Sequence, residues 1–395
     1  MERAEKRRRQ ENVLEIILCA AIKNKNGDVE MQREVLESRD ESVDVAKGIG
    51  ILFVIGGHCG YSLIPGIQAY SFHIPLFYFI AGFFLRKNER AGLFVKKKAY
   101  ALLLPYFVYN IFFGIVTYFL RRIGISWRGS PFETLDFHNF FIEPFLSGHQ
   151  YSISCALWFV PSLFLVMMLY LFTQKIIFYF YKNKFKKIIF CILLLCIYYI
   201  NIYGYTYDEN IYIAAVSRTL IGYCFCMMGS VFYSFYNKIN IFILLFVSIF
   251  IYGYLSMNFG VYGYSYVWND YTSGYGKIIS FPLSLSGILM VISISKIIVL
   301  KNEFINKNGF IWIGKNSFHV MALHLSGFLL LNMLLTGLNP VRQMSDIDNI
   351  YYRYANIDWI YFFFSTVFCI VTIKTIQKFS GKFFFLGRKN DYSGS

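Results

Sequence analysis

From about residue 44 to residue 380 the chain alternates between long apolar blocks and short polar connections. Each block is apolar on all sides, the pattern of a helix surrounded by lipid or by other helices. Ten blocks are read, at about 46–66, 69–86, 99–120, 154–174, 188–205, 211–234, 240–257, 278–297, 309–333 and 357–379. At ~1.5 Å rise per residue, ~20 residues cross a ~30 Å hydrocarbon layer. The pattern predicts an all-α integral membrane protein, a bundle of about ten transmembrane helices. It divides the chain into an N-terminal segment over 1–43, a transmembrane domain over 44–380 and a tail over 381–395.

Composition agrees. Of 395 residues 56% are hydrophobic, 20% aromatic and 15% charged, against ~25% charged in soluble domains. A net charge of +15 raises nucleic acid as a partner, but the basic residues sit in short clusters in alternate connections. Of 38 Lys and Arg, the connections on one side hold only Arg121, Arg122, Arg128, Lys277, Arg342 and Arg353. That bias places both termini in the cytoplasm and favours an even number of spans. It leaves membrane lipid, and no nucleic acid, as the expected surroundings.

The eight cysteines show no paired or zinc-like spacing. Most lie in apolar runs, where cysteine behaves as a small hydrophobe, so no metal is expected. The first ten residues, MERAEKRRRQ, precede a short apolar run interrupted by Glu15, and Met31 follows before the first block. We read residues 1–30 as a disordered tail or as untranslated sequence ahead of a start at Met31.

Ionisable groups inside a membrane are costly and few here, so each is a functional candidate. The first block, DVAKGIGILFVIGGHCG, carries Asp44 and Lys47 at its start and His58 eleven residues after the lysine. Eleven residues make three helical turns plus ~20°, so Lys47 and His58 share a face and lie ~16 Å apart. Gly56 and Gly57 leave room beside His58 for a neighbouring helix or a slender ligand. The imidazole either takes a proton from an attacking hydroxyl or hydrogen-bonds a facing helix. His73 stands two residues before Pro75, a proline tolerated in a first helical turn, which puts His73 near the outer end of the second span. It is either catalytic or structural.

Trp158 in LWFVPSLF is an interfacial anchor or a stacking surface for a sugar. Arg218, in the outer half of the sixth block, steadies a developing oxyanion or is paired structurally. In GKNSFHVMALHLSG, Ser317 and His324 are two turns apart on one face, while His319 points elsewhere. Their ~10 Å separation along the axis is too long for proton transfer, which favours cavity lining over a Ser–His nucleophile.

Together these strings resemble the acyltransferase-3 family of membrane acyltransferases, and in particular its fucose 4-O-acetylase-like branch. Asp44, Lys47, Gly48 and His58 look like the opening motif. HIPLFYFIAGFF is similar to the next, at His73, Pro75, Leu76, Phe77 and Gly82. Lys96, Lys97 and Lys98 running into Pro105 and Tyr106, LWFV at 157–160, Arg218, and Gly314, Lys315, Asn316, Ser317 and His324 follow in the family's order. Many members carry Arg-x10-His where this chain has Lys47 and His58, and Ala81 replaces a frequent serine.

The resemblance implies transfer of an acetyl group from acetyl-CoA to a hydroxyl of a surface polysaccharide, such as O-antigen or exopolysaccharide, or of its lipid-linked precursor. The setting would be a bacterial cytoplasmic (inner) membrane. The expected donor contacts are Lys47, Asp44, Lys96, Lys97 and Lys98. His58, His73 and Arg218 are the expected catalytic groups, His58 acting as base or first taking the acetyl itself. Trp158, Ser317 and His324 would line the acceptor cavity. The competing class is a transporter or polymerase of lipid-linked glycan, which calls for larger, arginine-bearing outer loops.

Overall fold

In the computed structural model, residues 40–86, 89–122, 135–146, 151–204, 210–259, 275–301, 306–335 and 357–379 are described. The chain divides into units 1–41 and 42–395, and the second forms the helical bundle. The N-terminal reading with its start at Met31, most of the longest outer connection and the tail at 381–395 lie outside the described residues.

Every regular element among the described residues is helical. We number the α-helices α1 Glu41–Cys59, α2 His73–Gly82, α3 Ala91–Lys98, α4 Leu104–Arg122, α5 Phe137–Phe141, α6 Glu143–Leu146 and α7 Phe159–Phe180. There follow α8 Lys184–Gly204, α9 Ile211–Tyr233, α10 Ile241–Phe259, α11 Tyr275–Leu300, α12 Lys307–Lys315, α13 Ser317–Leu335 and α14 Asp358–Phe379. Among the described residues nine helices, counting α3 and α4 as one, are long and apolar enough to cross a membrane.

Four predicted blocks take a different form. The first helix stops at Cys59, because Gly60 adopts φ 81°, a left-handed turn that suits glycine. The second contains a helix of only ten residues, α2, entered through a 3-10 turn at Ala69–Ser71. The third begins earlier, in α3, and continues through a five-residue π turn at Ala99–Leu103. Pro105 follows that turn; its missing N–H and bulky ring disfavour a regular i→i−4 bond, which accounts for the widened turn. The ninth is two helices. Asn316 leaves helical geometry (φ −104°, ψ 12°) and returns its side chain to the Trp312 carbonyl at 2.8 Å.

The core is made by α1, α2, α7, α9, α11 and α13, whose side chains are largely buried. By contrast α10 exposes Phe242, Phe246 and Phe250 on successive turns. Such an apolar outer face is stable only against lipid or another apolar surface.

Two glycine contacts set the helices that carry the site. A Cβ on Gly48 of α1 would meet the Phe310 carbonyl and the Gly314 nitrogen of α12, and one on Gly314 would meet the Asp44 carbonyl. Likewise Gly82 of α2 lies on the Cys226 carbonyl of α9, and Gly229 of α9 on the backbone of Phe79. Backbones this close exclude any side chain, the usual device for packing helices in lipid, where no hydrophobic drive holds them together.

Candidate functional site

The last turn of α1 places His58 beside the returning connection. Tyr61 and Leu63 cover Gly56, and Tyr70 covers Gly57. The room beside Gly56 and Gly57, expected to admit a neighbouring helix or a slender ligand, is therefore taken by the chain's own returning connection. Tyr70 brings its hydroxyl to 3.2 Å from His58 Nδ1. The same ring lies edge-on to His73, with centroids 5.1 Å apart. On the other side stands His324 of α13, its ring centroid 5.1 Å from that of His58 at an interplanar angle of 42°. Three of the six histidines in the chain thus meet at one end of α1, joined by a tyrosine that no sequence motif singles out.

Hydrogen bonds fix two of the tautomers. A backbone carbonyl only accepts, so a nitrogen facing one must carry the proton. His73 Nδ1 donates to the Ala69 carbonyl at 2.7 Å. His324 Nδ1 donates to the Met321 carbonyl at 2.8 Å. In both neutral rings the lone pair is then on Nε2. His324 is fully buried and its Nε2 has no hydrogen-bond partner, a costly state for a polar atom without a functional reason. His73 is equally buried, whereas His58 and Tyr70 are only half-buried. The cluster therefore opens on the His58–Tyr70 side.

At the opposite end of α1, Lys47 forms an ion pair with Asp44 at 2.7 Å. Asp44 is buried, so its carboxylate orients the ammonium from within the protein; an anion would meet Lys47. Lys47 also lines a cavity of about 220 Å³ together with Ile51 and Phe77, the π-turn residue Leu102, Phe159 and Leu163 of α7, and Ser317 and Met321 of α13. Apart from Lys47 and Ser317 its walls are apolar. It reaches Met321, whose carbonyl holds His324. On α1 its lining ends at Ile51, two turns short of His58, so it extends from the Lys47 end part of the way along that helix. Lys96 and Lys97 are exposed on α3, and Lys98, half-buried over the Phe94 ring, is one turn before Leu102.

The remaining candidates lie elsewhere. Arg218 is buried and donates through Nη2 to the Leu146 carbonyl at 2.5 Å, tying α9 to α6. Trp158 is buried with its ring edge-on to Phe159 at 6.3 Å, so it offers neither an exposed anchor nor an open stacking face. Ser317 lines the cavity beside Lys47, two turns from His324, and neither Trp158 nor His324 lines that cavity, so the three residues expected around one acceptor do not share it. His319 turns away to Tyr109, 3.0 Å from its hydroxyl. Among the described residues no group of three His, Cys, Asp or Glu is placed to hold a metal ion.

Sequence reasoning misses Tyr70 because nothing in its neighbourhood marks it: it falls at the start of the second apolar block, and tyrosine is common throughout this chain. The usable signal is its place three residues before His73, one turn away if the segment is helical.

Comparison with known proteins matches residues 40–375 to the acyltransferase 3 family model, described as an acyltransferase domain. No curated protein and no solved structure matches the chain. The matched span takes in both ends of α1, the cavity and all three clustered histidines, and the chain belongs to the acyltransferase 3 family: it is a multi-pass membrane acyltransferase.

Proposed function

We propose that this protein is an O-acetyltransferase of the bacterial cytoplasmic (inner) membrane. It moves acetyl from acetyl-CoA to a hydroxyl of a cell-surface polysaccharide or its lipid-linked precursor. Both termini and the Lys47 end of α1 face the cytoplasm, where acetyl-CoA is made. The observation that carries this reading is the apolar cavity that opens beside Lys47 and extends to Ile51 and Met321, on the two helices that bring His58 and His324 together.

In this mechanism Lys47, held by Asp44, meets a phosphate of the donor, with the Lys96–Lys98 cluster raising the local positive potential. The pantetheine arm follows α1 for ~16 Å, the Lys47–His58 offset. The acceptor hydroxyl enters from the half-buried His58–Tyr70 side. His58 Nε2 takes the hydroxyl proton while Nδ1 stays on Tyr70, and the oxygen attacks the thioester carbonyl. The C–S bond breaks, and the thiolate leaves as the thiol after receiving the proton from His58. His324, with its Nε2 lone pair free beside the His58 ring, accepts a hydrogen bond from the acceptor once it has entered past His58, and buried His73 holds its place through the Ala69 carbonyl. Arg218 acts at a distance, by holding the α9–α6 contact in place.

The test compares surface glycans from cells with and without the gene by NMR. Loss of one O-acetyl signal with the gene, and its return with the wild-type copy but not with His58→Ala, is the expected result. An unchanged acetyl pattern would contradict the proposal.

A further inference from the structure

A second cavity lies beyond the donor channel. The connection after α2 is pinned onto α7 by two hydrogen bonds: buried Tyr170 donates to the Arg86 carbonyl at 2.5 Å, and Gln174 Nε2 donates to the Glu89 carbonyl at 3.3 Å. Between them opens a cleft of about 600 Å³ lined by Glu89, Arg90, Gln174, Lys175, Phe178, Tyr179 and Lys182. Three cations against one carboxylate leave it net positive. Among the described residues Arg90, Lys175 and Lys182 form no ion pair. Phe178 and Tyr179 add aromatic rings, and the donation to Glu89 leaves Gln174 Oε1 an acceptor without a partner.

This cleft and the donor channel share two elements. Helix α7 contributes Leu163 to the channel and Gln174 to the cleft, ~16 Å apart along its axis. The segment after α2 contributes Phe84 to the channel and Glu89 and Arg90 to the cleft. Because α2 runs back from the histidine end, both openings lie at the Lys47 end.

The geometry points to this cleft as the seat of the 3′-phosphoadenosine end of the donor, with purine against Phe178 and the 3′-phosphate on Arg90, Lys175 and Lys182, which leaves the diphosphate to the Lys47 mouth. The assignment rests on the acetyl-CoA reading. It follows from combining an aromatic wall and an excess of cations in the cleft with a channel too apolar for a nucleotide. A phosphate-bearing lipid headgroup shares part of that chemistry, and the experiment separates the two.

The purified protein in nanodiscs is assayed with acetyl-CoA and with S-acetylpantetheine, which lacks the nucleotide. The triple variant Arg90→Ala/Lys175→Ala/Lys182→Ala should raise the KM for acetyl-CoA about tenfold or more, the effect of losing charge-assisted contacts. Transfer from S-acetylpantetheine should stay unchanged. Equal losses with both donors, or a loss that depends on phosphatidylglycerol in the nanodisc, would overturn the assignment, as would no change. Thermal-shift binding of 3′,5′-ADP tests the cleft apart from catalysis. Binding by wild type and not by the variant supports it even where acetyl transfer fails, and no binding by either overturns it.

Discussion

His58 and His324 approach to 5.1 Å between ring centroids, although they come from helices α1 and α13, far apart in the chain. His324 is locked with its Nε2 lone pair free, and His58 is tied through Nδ1 to Tyr70. The pair therefore has unequal members. One imidazole is reachable and poised by a hydroxyl, and the other is buried and fixed.

That inequality gives the first prediction. His58→Ala should reduce acetyl transfer to background, and His324→Ala should reduce turnover by roughly the ~10²–10⁴-fold typical of a proton-handling group. Both proteins should reach the membrane in normal amount. Turnover of membranes normalised to protein abundance measures this, and wild-type turnover by His324→Ala would remove that residue from the chemistry.

Tyr70→Phe keeps the ring that rests on Gly57 and removes only the hydroxyl facing His58. The expected outcome is a lower kcat with an unchanged KM for acetyl-CoA, since the donor meets the other end of α1. A rise in KM alone would assign Tyr70 to donor binding.

Lys47→Ala should raise the KM for acetyl-CoA, and Lys47→Arg should restore most of it by keeping the positive charge. Asp44→Asn, which weakens the 2.7 Å pair, should act in the same direction but less strongly. Acetyl-CoA titrations of the three variants decide the order of effects.

Gly314→Leu should destabilise the fold itself. Its side chain would enter the space held by the Asp44 carbonyl, and overpacking of this kind costs about 1–3 kcal/mol or more. A lower melting temperature in detergent is expected, with Gly309→Leu, an open position on the same helix, as the neutral control.

Much of the bundle was readable from the sequence, because all-round apolar blocks admit few other structures. The short α2 was not, since it sits inside a continuous apolar run, and the break at Asn316 was passed over although the polar string Gly314–Ser317 interrupts the block there. The common face of Lys47 and His58 followed from helical periodicity. The meeting of His58 with His324 and Tyr70 did not, because it depends on how α1, α13 and the returning connection pack. Gly48 and Gly314 could be quoted as motif residues, yet only their packing shows them touching one another's helix. Trp158 and Arg218 were readable as conspicuous residues, but burial against Phe159 and a bond to the Leu146 carbonyl decide their surroundings.

The proposed mechanism requires acetyl to pass from acetyl-CoA through the α1 channel to a hydroxyl beside His58. Proteoliposomes containing this chain alone, supplied with radiolabelled acetyl-CoA and de-O-acetylated surface glycan, measure that transfer directly. Label in the glycan with wild type, lost in His58→Ala and in a channel-filling Ala81→Trp variant, is the predicted result. Equal labelling by wild type and His58→Ala, or none by wild type, would contradict it.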